Sequence, residues 1–399
     1  MPASHLYPLQ MARRIATGID IGTHHTKVVV VEEVRTQEGP VLRIIGTGLS
    51  ETRGLRHGYV VDPDDASGSI RAAREQAEHA AGVPIRKGFL AIGGISLDEV
   101  RAQGETVISR ADQEITDLDL EKTREAARLA AQPNFLNRTV LHEIPLEYRV
   151  DGAKSLGEPL GMKGTRLEAD YLFITCLTQH ADLLESVTEA AEIEVIDRMA
   201  SPLAGSYVTL TKDQKMKGCV LANIGSETAS IVIYDEGLPV SVKVFPMGSS
   251  HITDDLALGF KVSLEDAERL KIGRLSGSMY PRKRVEEIIT NRFRTIFDLI
   301  DKHLKQLGRG RTLPAGIVIA GGGAGQGLIT DIAKGTLNLP SRVADMRLTT
   351  DVKVRDATWS VAYGLALWGL TGDTEAPKKK RGVKEFASGV QEFFKQFLP

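Results

Sequence analysis

Along this chain, apolar positions fall into short β-branched runs that end in glycine turns, and these alternate with longer stretches of helical period. Residues 18–31 open the pattern. An apolar run leads into Asp20, a tight Gly22–Thr23 turn follows, and Val28 to Val31 forms a second run, which predicts a hairpin. Residues 41–48 predict a third strand, and residues 65–81 an amphipathic helix stopped by Gly82 and Pro84. Residues 89–92 read as a strand. Asp117 or Asp119 is placed to cap a helix through Ala131, which ends before Pro133. Residues 139–150 alternate as a strand and close on an Asp151–Gly152 turn. Residues 165–170 do not alternate cleanly, whereas 171–177 are strongly apolar and strand-like.

Helices are predicted at 181–191 and 203–210 with a short strand at 195–196, and then the opening theme returns. Residues 220–228 and 231–234 again read strand, polar glycine turn, strand. A recurrence about 200 residues after the first suggests two similar domains facing each other. A strand at 240–245 ends near Gly248. Helices follow at 252–258, 264–272 and 285–307, the last ended by Gly308. Residues 316–323 form a buried strand running into Gly321, Gly322 and Gly323, with a helix at 328–334 behind it. An apolar helix at 357–370 closes the globular part. A polar linker then carries Lys378, Lys379, Lys380 and Arg381, and residues 383–398 form an isolated amphipathic helix.

Composition narrows the class. At 399 residues the chain has room for two domains, and 42% apolar with 26% charged residues describes an ordinary globular protein. A net charge of −2 gives no reason to expect nucleic acid as a partner. Cys176 and Cys219 make neither a disulfide framework nor a metal pattern, which points to a reducing compartment. Residues 1–12 lack the basic start and apolar core of a signal peptide, and Met11 is a possible alternative start. No apolar run approaches the roughly 18 residues that a spanning helix needs.

The chemistry sits at the glycine turns. In the first, Gly22 lets backbone approach a ligand closely, the turn amides form a concavity suited to phosphate oxygens, and Lys27 adds a point charge. Asp20 has the wrong sign for phosphate, and its expected task is to hold a hydrated Mg²⁺.

Three such turns in this order resemble the actin-like ATPase superfamily. Its first phosphate motif matches at Asp20, Gly22, Thr23 and Lys27, its second at Gly225, Ser226 and Thr228, and its adenosine motif at Gly321, Gly322 and Gly323. Within the superfamily the chain is similar to the FtsA family of bacterial cell-division proteins, through residues 54–81, 142–152, 159–164, 248–257 and 267–272, the insert and the terminal helix. The resemblance implies an α/β, actin-like two-domain fold with a nucleotide cleft, a small α+β insert in the first half and a C-terminal amphipathic helix. The implied layout has an N-terminal extension at 1–12 and a first half at 13–84 and 169–216, interrupted by an insert at 85–168. The second half covers 217–250 and 309–370 with a small lobe at 251–308, a basic linker at 371–382 and a membrane-binding helix at 383–399.

ATP with Mg²⁺ is the implied ligand. Its expected site adds Asn223, Gly248, Glu268 and Lys271 to the motif residues, because Glu268 and Lys271 lie one helical turn apart and can face ribose and base together. Two departures bear on activity. Asn223 stands where the second phosphate motif usually has Asp, with Glu227 replacing a small residue and bringing charge towards the phosphates. Ser201–Pro202 stands where hydrolases of the fold tend to carry Gln or Glu. The expectation is therefore ATP binding with weak or absent hydrolysis.

The implied role is a polymerising adaptor that tethers the tubulin-like FtsZ ring to the inner face of the cytoplasmic membrane at the division site, together with other division proteins. The small lobe would receive the FtsZ C-terminal tail, with Arg284 and Arg292 as candidate contacts, and the insert would touch a neighbouring copy. Phe386, Val390, Phe393, Phe394, Phe397 and Leu398 share a stripe suited to the plane of a membrane surface, next to a basic run suited to anionic headgroups. The alternative is an ATP-binding adaptor of type IV pilus assembly, the PilM type, whose relatives often carry Asn in the second motif. A small-molecule kinase would need a catalytic Asp on the first half, and no such motif is found.

Overall fold

The computed structural model describes residues 13–36, 39–277, 279–346 and 356–371. The chain opens with three antiparallel neighbours, β1 (Arg14–Ile21), β2 (His25–Thr36) and β3 (Gly39–Glu51). A two-residue pair, β4 (Leu55–Arg56) and β5 (Tyr59–Val60), leads to α1 (Pro63–Ala81). The Asp62 carboxylate caps α1 by accepting from the Asp64 and Asp65 amides, and Gly82 ends it at φ 66°. Next, β6 (Lys87–Ile92) joins the first sheet in parallel beside β1. The expected insert boundary at residue 85 is thus too early: 88–92 is a continuous buried run because β6 lies inside the main sheet, between β1 and β11.

The insert proper holds β7 (Asp98–Val107), α2 (Asp117–Ala131), β8 (Arg138–Val150), β9 (Ala153–Lys154) and β10 (Arg166–Leu177), in the sheet order β7-β10-β8-β9. Two local expectations change here. The cap of α2 is Thr116 rather than Asp117 or Asp119, and Asp119 instead turns back to accept from the Thr116 amide at 3.0 Å, a capping box. Residues 165–170 and 171–177 are one strand; a register shift between Asp170 and Tyr171 interrupts its alternation.

The chain returns through α3 (Thr178–Ala190) and β11 (Glu194–Ala200), then leaves the first half through α4 (Ser201–Thr209) and α5 (Lys212–Lys217). The second half repeats the first. An antiparallel trio, β12 (Cys219–Ile224), β13 (Ala229–Asp235) and β14 (Leu238–Phe245), precedes α6 (Ser250–Phe260), α7 (Leu264–Lys271) and α8 (Arg282–Gln306). The parallel β15 (Ile317–Ala320), α9 (Ile329–Leu337) and β16 (Ser341–Val343) complete it, and α10 (Ser360–Thr371) follows. The two large sheets read β3-β2-β1-β6-β11 and β14-β13-β12-β15-β16, the same connectivity and sense in each. This is the physical content of the repeated glycine turn.

The helices α6 to α8 share one core with the second sheet, with Ile252, Leu256, Phe293 and Phe297 packed with Val220, Ala222 and Ile231. The helix expected to close the second half does not lie there. α10 packs on the first half, where a Cβ on Gly364 would stand 1.9 Å from the Ala204 carbonyl of α4 and one on Gly18 1.9 Å from the Ala362 carbonyl. Only glycine admits these backbone-to-backbone contacts. Trp368, half-buried against the core, packs edge-on to Phe89 with ring centroids 5.3 Å apart. No described helix is long and apolar enough to cross a membrane.

Candidate functional site

A cavity of about 1170 Å³ lies between the two halves. The β1–β2 tip enters it from one side and the β12–β13 tip from the other. In the first tip the hairpin register sets Asp20 opposite Lys27, and the Gly22 amide donates to the His25 carbonyl at 3.2 Å. Asp20, Gly22, Thr23 and Lys27 all line the cavity. Burial raises the Asp20 pKa above the ordinary carboxylate range, and Lys27 opposes that shift. A cation at this carboxylate would oppose it further. Among the described residues no group of three or more His, Cys, Asp or Glu could hold a metal by protein ligands alone. One carboxylate beside a phosphate cradle fits Mg²⁺, which keeps several waters and takes the rest of its shell from phosphate.

In the second tip Gly225 donates to the Thr228 carbonyl at 2.8 Å. Asn223, Gly225, Ser226 and Thr228 line the cavity. Behind them the chain after β14 is stitched to the tip, with Ser249 donating to the Gly225 carbonyl at 2.9 Å and Ser250 to that of Ser226 at 2.8 Å. Gly248 itself is not on the cavity wall. Its place is to let this stitch form, since a Cβ there would lie 2.3 Å from the Ser226 oxygen.

Gly321, Gly322 and Gly323 line the same space. Gly321 has φ 86°, and a Cβ would meet the Asn223 Oδ1 at 2.3 Å and the Ile224 carbonyl at 2.5 Å, so the third glycine turn closes on the second motif. Glu268 and Lys271 also meet at the cavity, as a 2.6 Å ion pair. Thr253 donates to Glu268 at 2.7 Å, and Lys271 donates to Thr253 at 2.9 Å and to the Ser249 carbonyl at 3.3 Å. Burial works against the Glu268 carboxylate, but the bonds from Lys271 and Thr253 outweigh it and hold the pKa below the usual range.

Two expectations change. Glu227 does not face the cavity; its carboxylate accepts from the His57 amide across the cleft. Trp359 is half-buried, packs against the core and also forms part of the cleft wall. Arg292 is not a free cation: Asp255 engages both its Nε and an Nη at 2.7 Å. Arg284 is exposed on the first turn of α8 and pairs with Glu287 at 2.8 Å. Ser201 lies at the cleft at the start of α4, as its position after the last strand of the first half implies. Sequence reading missed Gly93 and Gly94, which line the cleft directly after β6. Their signal, a buried strand ending in two glycines, is the one that marked Gly321. His24 and His25 also line the cavity, their rings 4.3 Å apart. The helix stripe from Phe386 to Leu398 lies outside the described residues.

Comparison with known proteins gives two family-model matches. One is described as the SHS2 domain inserted in FTSA, over residues 97–175, and the other as cell division protein FtsA, over residues 220–364. The cell division protein FtsA of Pseudomonas aeruginosa is 30% identical over 381 residues, 90% of this chain and 89% of that protein. That of Bacillus subtilis is 30% identical over 395 residues, 94% of this chain and 87% of that protein. Among solved structures, a PilM–PilN type IV pilus biogenesis complex matches with TM-score 0.68 at 18% identity, covering 90% of this chain and 99% of that one. The ethanolamine utilization protein EutJ of Carboxydothermus hydrogenoformans matches at 0.54 and 15%, covering 90% of each chain. These likenesses support the actin-like two-domain fold.

Proposed function

This chain belongs to the FtsA family of cell division proteins, and from that premise we propose that it binds ATP with Mg²⁺ in its cleft, polymerises, and tethers the FtsZ ring to the inner face of the cytoplasmic membrane. The observation that carries the nucleotide reading is the pair of facing hairpin tips. They enter one cavity from both sides, with Lys27 and Asp20 on one tip and the Gly321–Gly323 turn beside the other. Bound Mg²⁺ would neutralise phosphate charge next to Asp20. The Glu268–Lys271 pair would meet the ribose and base, and the Gly321 turn would let backbone lie against the adenosine. Asn223 offers no basic group, and Ser201 is a weak base, so hydrolysis is slow. The test is titration of the purified protein with a fluorescent ATP analogue and Mg²⁺. Lys27→Ala should weaken binding about tenfold, one lost charge-assisted phosphate contact, and unchanged affinity would move the site elsewhere.

The membrane and partner roles rest on family membership and on the sequence. The amphipathic stripe from Phe386 to Leu398 with its basic linker is the proposed anchor, and polymerisation would strengthen its attachment by multivalency. The FtsZ tail, an acidic peptide, is assigned to the small lobe. There Arg284 and Arg294 are exposed, whereas Arg292 is already engaged by Asp255. The insert is the proposed contact between copies. The PilM likeness concerns the fold alone, and Asn223 is the residue that favours a pilus adaptor. Binding of an FtsZ-tail peptide against a pilus-protein N-terminal peptide separates the two readings.

A further inference from the structure

Glu227 sits at the β12–β13 tip of the second half, yet its partners belong to the first. Its carboxylate accepts a hydrogen bond from the His57 amide, and one oxygen lies 3.7 Å from the His57 Nδ1. His57 stands at φ 51° in the turn between β4 and β5. The next carbonyl, that of Gly58, accepts from His180 Nε2 at 2.9 Å, and the His180 ring stacks on Tyr59 with centroids 4.4 Å apart. Because Nε2 is the donor, Nδ1 of the neutral ring is the acceptor, and it meets the hydroxyl of Ser96. Burial lowers the His180 pKa and so favours that neutral form. Ser96 stands at the root of the insert, and Arg138 of β8 donates to its carbonyl at 2.7 Å. A continuous path of hydrogen bonds and single residues therefore runs from the second phosphate tip, across the cleft, to the base of the insert.

We propose that Glu227 is a cross-cleft latch that holds the two halves together and, through Gly58, His180 and Ser96, ties the closed cleft to the orientation of the insert. The proposal rests on the nucleotide reading of the cleft. Glu227 touches no part of the cavity, so it acts as a positioning residue. The bond between its carboxylate and the His57 amide joins different halves and must break when they separate. Being charge-assisted and half-buried, it slows opening, and with it the release of whatever the cleft holds.

The test uses the full chain with two readouts. In nucleotide-free protein, hydrogen exchange of the peptide containing the His57 amide should be about tenfold faster in Glu227→Ala, and intermediate in Glu227→Gln, which keeps an acceptor oxygen without the charge. Dissociation of a fluorescent ATP analogue should quicken by a similar factor, with its association rate unchanged. Through the same path Glu227→Ala should raise exchange at residues 96–100 and His180→Ala should loosen the His57 amide in turn; no change in either overturns the tie to the insert. Equal exchange at His57 in wild type and Glu227→Ala overturns the latch. Faster exchange with an unchanged release rate overturns its role in retention. If Glu227→Ala does not fold, Glu227→Gln carries both readouts. A wild type that binds no nucleotide fails the nucleotide reading, while the exchange of the His57 amide still decides the contact.

Discussion

Gly248→Ala adds one methyl group outside the cavity and should nevertheless damage the site. The new carbon would lie 2.3 Å from the Ser226 oxygen, 2.5 Å from the Ser226 carbonyl carbon and 2.7 Å from the Gly225 oxygen. All three are backbone atoms, so no side chain can swing aside. Restoring an ordinary carbon–oxygen contact of about 3.3 Å requires a displacement of about 1 Å. The same two carbonyls accept from Ser249 at 2.9 Å and Ser250 at 2.8 Å. A 1 Å shift costs much of both bonds, each worth about 0.5–1.5 kcal/mol net, or about 1–3 kcal/mol together. The loss falls on the tip that presents Gly225 and Ser226 to the cavity. The expected result is ATP affinity reduced about 10- to 100-fold with only modest loss of global stability. Isothermal titration alongside thermal melting measures both. Gly68→Ala, inside α1 with nothing within 4 Å of its added carbon, is the matched control; it should leave affinity unchanged and raise stability by about 0.5–1 kcal/mol, as alanine does for glycine in a helix. Affinity within twofold of wild type for Gly248→Ala would refute the argument that this glycine supports the phosphate turn.

Burial pushes the His142 pKa down to about 3, and in the fold its Nε2 accepts from the Ala200 amide at 2.9 Å. The unfolded chain therefore binds the proton more readily, so stability is undiminished above about pH 6.5 and falls as the pH drops towards 3. His142 alone should make the protein about 2 kcal/mol less stable at pH 5 than at pH 7, and His142→Gln should flatten the difference in urea midpoints. Asn223→Asp restores a carboxylate to the cleft wall and should raise ATP turnover in a phosphate-release assay; unchanged turnover would mean that Ser201 is also limiting. Phe393→Glu/Phe397→Glu should abolish co-sedimentation with anionic liposomes while ATP binding is retained, and equal sedimentation would sink the anchor.

The glycine turns were legible because they are local: a buried strand, a glycine and a return strand carry their geometry within a dozen residues. The facing of the two tips was legible only through their repetition. Boundaries were not, because they depend on pairing partners far along the chain. Residues 87–92 look like the start of the insert until their neighbours prove to be β1 and β11. A deletion of 85–168 would thus remove a central strand of the main sheet, whereas the segment that pairs within itself begins at β7. The apolar helix at 357–370 carries no mark of which half it covers, since its glycines, Gly364 and Gly369, show their purpose only against Ala204 and Phe89. Glu227 and Arg292 were misread for one reason: the partners that take up their charges, the His57 amide and Asp255, are 170 and 37 residues away.

The crossing of α4 and α10 has a mechanical consequence. α4 leads the chain out of the first half and α10 brings it back, and the two helices meet with the Gly364 backbone against the Ala204 carbonyl. Together with the Glu227–His57 bond and the bonds that Ser241 and Val242 give Glu99, this crossing limits how the two halves move against each other. Sliding or separation would open a void where side chains are absent, so rotation about the crossing is the inexpensive motion. Every carbon added at position 364 acts as a wedge at that pivot, felt at the far lips of the cleft in proportion to their distance from it.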